Sequence, residues 1–213
     1  MKKYAIVILY SKMLEGDFLT KIIIIINIIV FIFEILNGGS TNTNVLIMMG
    51  AKVNELINTG EYYRFITPMF LHIGLTHILM NSYALINTGP FVEKFLGRFY
   101  FLIIYLFSGI TGNVCSYLFS DTISAGASTA IFGIFGCIVT CGLFFRKDKA
   151  IKRTGKNMLY IVIVNLILNI FQPGIDIYGH LGGFLGGVLM TTIILLFKTS
   201  NTKVVKLWKK KKL

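Results

Sequence analysis

The sequence predicts an all-α, polytopic membrane protein built as a bundle of six transmembrane helices. Three observations carry that expectation. The 213 residues are 55% hydrophobic and only 14% charged, with a mean hydropathy of +0.75, far more apolar than one soluble core requires. The apolar residues gather in runs close to the length of about 17–25 residues that a membrane-crossing helix needs. The basic residues fall between those runs, concentrated on alternate connections.

The runs lie at about 19–37, 67–88, 99–119, 125–145, 157–172 and 177–197. They divide the chain into an interfacial N-terminal segment (1–18), a six-helix domain (19–197) and a basic tail (198–213). Lys2 and Lys3 precede Ala5–Tyr10, a run too short for a secretory signal, so residues 4–18 are expected to lie at the interface uncleaved. Asn27 and Glu34 in the first span are seven apart and share a face, as packing glue turned toward the bundle. The connection from Asn37 to Thr67 is long enough to hold structure of its own, partly in the outer interface. The fifth span carries Asn165 and Asn169 on one face, lining the substrate side or bonding between helices, and stops at Gln172–Gly174, where Pro173 cannot continue the ladder. The tail "KLWKKKKL" suits an anionic leaflet, with Trp208 as interfacial anchor.

Orientation follows from charge. With six spans, 19 of the 21 Lys and Arg fall on one side, and Lys52 and Arg64 alone fall on the other. The positive-inside rule puts both termini in the cytoplasm. The net charge of +12 is thereby assigned to topology, and nucleic acid is not expected as a partner. Cys115, Cys137 and Cys141 form no Cys-x-x-Cys or Cys/His metal spacing and read as small buried hydrophobes. No cofactor or metal is implied.

Spans two, four and six then all begin at the outer face, with "FLHIGLTHILMN", "GASTAIF" and "YGHLGGFLGG". His72, His77, Asn81, Ser128 and His180 are expected in the outer halves of those helices, Ser128 and His180 each about four residues in. Polar side chains at membrane depth are costly and face a bundle interior or a wet cavity. Each has a plainer use alone: a serine bonding a carbonyl one turn back, a histidine or asparagine bridging helices. Five at one level argue for a cavity open to the outside.

Gly179, Gly183 and Gly187 recur every four residues beside His180, and Gly126, Ala130, Gly133 and Gly136 answer them in span four. Such spacing lets two backbones approach closely. A neutral His180 would then take the Ser128 proton, and the developing oxyanion would find backbone N–H groups at the start of span four with His77 and Asn81 beside them. These parts read as a serine hydrolase site inside a membrane.

The ordered set "YRFITPMFLHIGLTHILMN", "FVEKFLGR", "GASTAIFG" and "GHLGGFLGG" resembles the rhomboid family of intramembrane serine proteases, from Glu61 to Leu195. That resemblance implies Ser128 as nucleophile, His180 as base in a dyad without an acid, and His77 and Asn81 as oxyanion donors. It implies that Arg64 and Glu93 hold connecting loops and that His72, Gly126, Phe132 and Gly183 support the site. The implied substrates are transmembrane segments of other proteins, cut near the outer edge of the bilayer. Three positions depart from the family pattern: Thr129 stands for Gly, Tyr63 for Trp, and Phe132 for Tyr. Phe132 keeps a ring to stack near the histidine, and the branched Thr129 is expected to narrow the site. Asp176, four residues before His180, is expected in the outer connection in water, with a third place beside the dyad as the alternative that the resemblance argues against.

Three rival functions each lack a sequence feature they would normally show. A transporter lacks here an inverted repeat or an acidic pair at depth. An inactive relative that binds membrane clients would lack the serine or the histidine. A zinc protease using His72, His77 and His180 lacks His-Glu-x-x-His.

Overall fold

The first apolar run forms helix α1 (Phe18–Leu36), entered through Asp17. A computed structural model of the chain describes residues 17–172 and 174–200. The expected interfacial segment up to residue 16, Pro173 of the stop signal, and the basic tail with Trp208 lie outside the described residues. After α1 come the short helices α2 (Thr43–Met48) and α3 (Asn54–Asn58), then two 3₁₀ turns, Tyr62–Phe65 and Thr67–Phe70. The long helices α4 (Gly74–Leu96), α5 (Arg98–Phe119), α6 (Ser128–Phe144), α7 (Lys149–Ile170) and α8 (Ile177–Ser200) follow. Among the described residues the fold is all-helical, apart from one isolated bridge between Lys52 and Ser124.

Among the described residues the count is thus eight α-helices rather than six, because the first connection folds into α2 and α3. Phe18–Leu36, Arg98–Phe119 and Ile177–Thr199 are long and apolar enough to cross a membrane, and Ser128–Phe144 is apolar but shorter. Three boundaries differ from expectation. The second helix starts at Gly74 instead of residue 67, because Pro68 sits in a 3₁₀ turn and Gly74 enters with φ +81°. It also runs through Pro90 to Leu96, one of the cases where neighbours tolerate a proline within a helix. The fifth begins at Lys149 instead of 157: Asp148 caps it, accepting from Ala150 and Ile151 N–H, so its charged first turns are helix and not connection.

Helix α6 is the axis of the molecule. Every residue from Thr129 to Gly142 is buried, as expected for a helix that is apolar all round. It packs most extensively on α8, and α5 packs on both. Glycines make this possible. A Cβ on Gly183 would run into Thr129 O, and one on Gly187 into Gly133 O, so backbone lies on backbone where α6 crosses α8. Gly142 and Gly155 serve the α6–α7 crossing in the same way.

The first connection is fastened to the helix ends that carry the site. Lys52 is fully buried; its Nζ donates to Ser120 O (2.6 Å) and Thr122 O (3.1 Å), while its backbone bridges Ser124. Asn54 Nδ2 donates to Tyr117 O and Ser120 O. Arg64 Nη1 donates to Ile47 O and Ala51 O, both at 2.8 Å, and its Nε to Glu61 at 2.7 Å. At the opposite end Glu93 accepts from Leu19 N–H, Thr20 N–H and the Thr20 hydroxyl, all at 3.0 Å. Asp17 makes no side-chain cap, so α4 supplies the cap of α1.

Candidate active site

The "GASTAIF" stretch turns from loop to helix at the serine itself. Gly126 has φ +149°, donates its N–H to Pro68 O (2.8 Å), and lies two residues before α6 begins. Ser128 is the first residue of α6, not the fourth, so its neighbouring backbone N–H groups are the unpaired donors of a helix start. Asp176 plays a related part for α8: its Oδ1 accepts Gly179 N–H at 2.8 Å. His180 follows within the first turn of that helix.

Ser128 and His180 meet: Oγ to Nε2 is 2.8 Å. The Phe132 ring, one turn along α6 from Ser128, stacks on the imidazole with centroids 4.3 Å apart and planes 8° from parallel. The other ring nitrogen, Nδ1, lies 2.7 Å from the Asn169 side-chain amide on the last turn of α7. Both Asn169 and His180 are buried, while Ser128 is half-buried and thus reachable.

His77 faces the same serine across Gly126. A methyl group built on Gly126 would lie 2.6 Å from His77 Cε1, 2.8 Å from its Nε2 and 3.4 Å from Ser128 Oγ. A side chain here would collide with the imidazole, so the bare Gly126 backbone is what lets His77 close onto the serine loop. His77 Nδ1 accepts Ile73 N–H at 3.3 Å, which leaves the proton on Nε2, one of the two ring atoms that press on Gly126. Asn81, one turn further along α4, is buried, and its Nδ2 has no protein acceptor. His72 lies in the loop before α4, not in its outer half; it is fully buried, edge-on to His77 at 5.4 Å, and its N–H donates to Glu34. Burial holds its imidazole at about 3, well below the ordinary value, so it stays neutral. Glu34 thereby ties α1 to this loop, and Asn27, two turns earlier on the same face, is buried as well.

Asp176, expected in water, is buried, and Thr129 also differs from expectation in where its side chain goes. Asp176 does not bond the imidazole: its carboxylate serves the backbone of α8, because residues at a helix cap point along the axis toward free N–H groups. Thr129 turns its Cβ and Cγ2 into the notch between Gly112 and Gly179, so its branched side chain is taken up in packing α6 on α5 and α8. Asn165 and Asn169 part company as well, the first bonding Ile161 O in its own helix and the second reaching His180. Sequence reasoning also missed Lys52 as a structural residue, since a lone lysine signals only topology. Among the described residues no group of three or more His, Cys, Asp or Glu stands in metal-ligating reach.

A helical bundle of apolar helices with a buried imidazole on a half-exposed serine defines an integral membrane protein with a hydrolase-like site. Residues 59–197 match the family model described as the Rhomboid domain, well over half of the chain, and the protein belongs to the rhomboid family. It is 44% identical over 168 residues to "Rhomboid protease GluP" of Bacillus subtilis (strain 168), a match covering 79% of this chain and 33% of that protein. It is 31% identical over 171 residues to "RHOMBOID-like protein 9, chloroplastic" of Arabidopsis thaliana, covering 77% and 39%. To "Rhomboid-like protease 3" of Toxoplasma gondii it is 33% identical over 156 residues, covering 70% and 58%. The chain thus spans about a third to three fifths of the length of these relatives.

Proposed function

We propose that this chain is an intramembrane serine endopeptidase whose six long helices cross the bilayer, both ends in the cytoplasm, and which cleaves transmembrane segments of other membrane proteins. The observation that carries the reading is the 2.8 Å contact between Ser128 Oγ and His180 Nε2. The half-buried serine at a helix start is an addressable nucleophile with a base in hydrogen-bond reach.

The chemistry follows from the geometry. Ser128 Oγ attacks the scissile carbonyl carbon and passes its proton to His180 Nε2. The carbonyl oxygen becomes an oxyanion beside Ser128, where His77 Nε2–H, Asn81 Nδ2 and the N–H groups opening α6 supply donors. Collapse expels the amine, which takes the proton from His180, and leaves an acyl-Ser128 ester. Water, deprotonated by the same imidazole, then hydrolyses the ester and restores the hydroxyl. Arg64, Glu93, His72, Phe132 and Gly183 keep these groups in register, and the residues 19–197 suffice as the protease domain. The bilayer itself is the second partner, since the substrate reaches the site through it.

Fluorophosphonate labelling tests the assignment. The wild type should be labelled, and Ser128→Ala should abolish both labelling and cleavage of a model transmembrane substrate. His180→Ala should do the same for cleavage, while Asn81→Ala, which removes one oxyanion donor of several, should slow it by about 10²–10³-fold at most. Specific labelling that persists in Ser128→Ala sinks the reading.

A further inference from the structure

His180 has two ring nitrogens, and the reaction above uses only one of them. Nε2 faces Ser128 at 2.8 Å, and Nδ1 faces the Asn169 amide at 2.7 Å. A neutral imidazole carries a single proton. If it sat on Nε2, the serine hydroxyl would have no lone pair to donate into, and attack would have no base. The productive tautomer therefore carries the proton on Nδ1, and something there must accept it. Asp176, the nearest carboxylate in sequence, accepts from Gly179 N–H instead. Of the groups bonded to the ring, only Asn169 stands at Nδ1.

The two ends of an asparagine amide exchange places by a half-turn about the terminal side-chain bond, so backbone placement fixes where the amide sits and hydrogen bonding decides which end faces the ring. We propose that Asn169 is a positioning residue of the site: its Oδ1 accepts the His180 Nδ1 proton and so holds Nε2 bare toward Ser128. The inference rests on the dyad reading of Ser128 and His180. Two contacts then divide the control of one ring. Phe132 holds its plane by stacking, and Asn169 fixes its rotation in that plane and its tautomer. Because Asn169 belongs to α7 and His180 to α8, the base is competent only while the last turn of α7 stays against the first turn of α8.

The test uses the full chain in liposomes, with ¹⁵N-labelled histidine and the variants Asn169→Leu, Asn169→Asp, Ser128→Ala and His180→Ala, the last to assign the signal. In the wild type the His180 resonances should report a proton on Nδ1. Asn169→Leu, close in size but without an acceptor, should shift the proton to Nε2 and lower kcat and the rate of Ser128 labelling about 10- to 100-fold, with KM within about twofold. Asn169→Asp, which can only accept, should restore the Nδ1 proton and most of the rate. A wild-type His180 protonated on Nε2 overturns the inference whatever the variants do. So does Asn169→Leu at the wild-type rate, or a slowed Asn169→Leu that Asn169→Asp fails to rescue. Labelling that survives Ser128→Ala instead defeats the dyad reading, a separate failure read from a different sample.

Discussion

Phe132 and Glu61 show how single side chains tune this molecule. Phe132 takes the place of a tyrosine in the family pattern, yet its ring lies flat against His180 and needs no hydroxyl to do so. Stacked rings contribute about 0.5–1.5 kcal/mol beyond the area they bury. Phe132→Leu should therefore slow fluorophosphonate labelling of Ser128 up to about tenfold, while Phe132→Tyr should leave it near the wild-type rate. Equal rates for all three proteins would show that stacking does nothing for the imidazole. Glu61 lies in the first connection, where the Tyr63 hydroxyl and then the Arg64 guanidinium bond its carboxylate and hold it below its ordinary value of 4.5. A depressed carboxylate contributes stability above the unfolded value, and that contribution disappears as pH falls through the folded one. The melting temperature should thus fall on acidification below about pH 4.5, and Glu61→Gln should flatten that fall relative to wild type. Identical acid limbs in the two proteins would exclude this pair as the cause. The Tyr63 hydroxyl, bonded to Glu61, is what the expected tryptophan would not have supplied.

Among the elements, the α6–α8 crossing decides whether a site exists at all. Its glycines were legible as a four-residue repeat, because close helix packing is encoded by neighbours one turn apart. A Cβ at Gly183 would meet the carbonyl and Cα of Thr129, which are backbone and cannot swing aside. Gly183→Val should force α8 away from α6, part His180 from Ser128, and abolish labelling even if the protein still inserts. Full labelling of that variant would mean the crossing is looser than this packing allows. The same logic explains what was not legible. Residues 67–73 are apolar enough for a span yet form a 3₁₀ turn and loop, since Pro68 and Gly74 impose local backbone choices that hydropathy ignores. Residues 149–156 are charged enough for a loop yet form two turns of α7, since Asp148 supplies a cap. The pairing of Glu93 with the start of α1, 73 to 74 residues away, left no trace in local pattern.

For the whole molecule, charge and contact bear on the face that the positive-inside rule assigns to the outside. Lys52 and Arg64 are the two basic residues that the orientation assigns there, and both are buried, bonded to backbone carbonyls of the connections around the site. They are exceptions to the charge rule because they are spent inside the protein. Orientation can be read directly in a version lacking Cys115, Cys137 and Cys141. A cysteine replacing the exposed Asn44 should react with an impermeant maleimide in intact cells, and one replacing the exposed Lys152 should react only after lysis. The reverse pattern would invert the proposed topology and move the site to the other face of the membrane.

What the sequence determined by itself is the helical, membrane-borne class, the approximate place of each long helix, the close crossing of two of them, and the identity of the hydroxyl and imidazole. The first three rest on composition or on residues within a turn or two of each other, and the last on the ordered set of stretches between Glu61 and Leu195. Only the tertiary structure decided that Asn169 and not Asp176 reaches His180, that His77 packs on Gly126 beside the serine, that Thr129 packs against Gly112 and Gly179, and that Lys52 is a buried fastener. Those contacts depend on where each helix begins and how it is rotated against its neighbours. A residue's spacing along its own helix specifies its face, but not which distant side chain that face will meet.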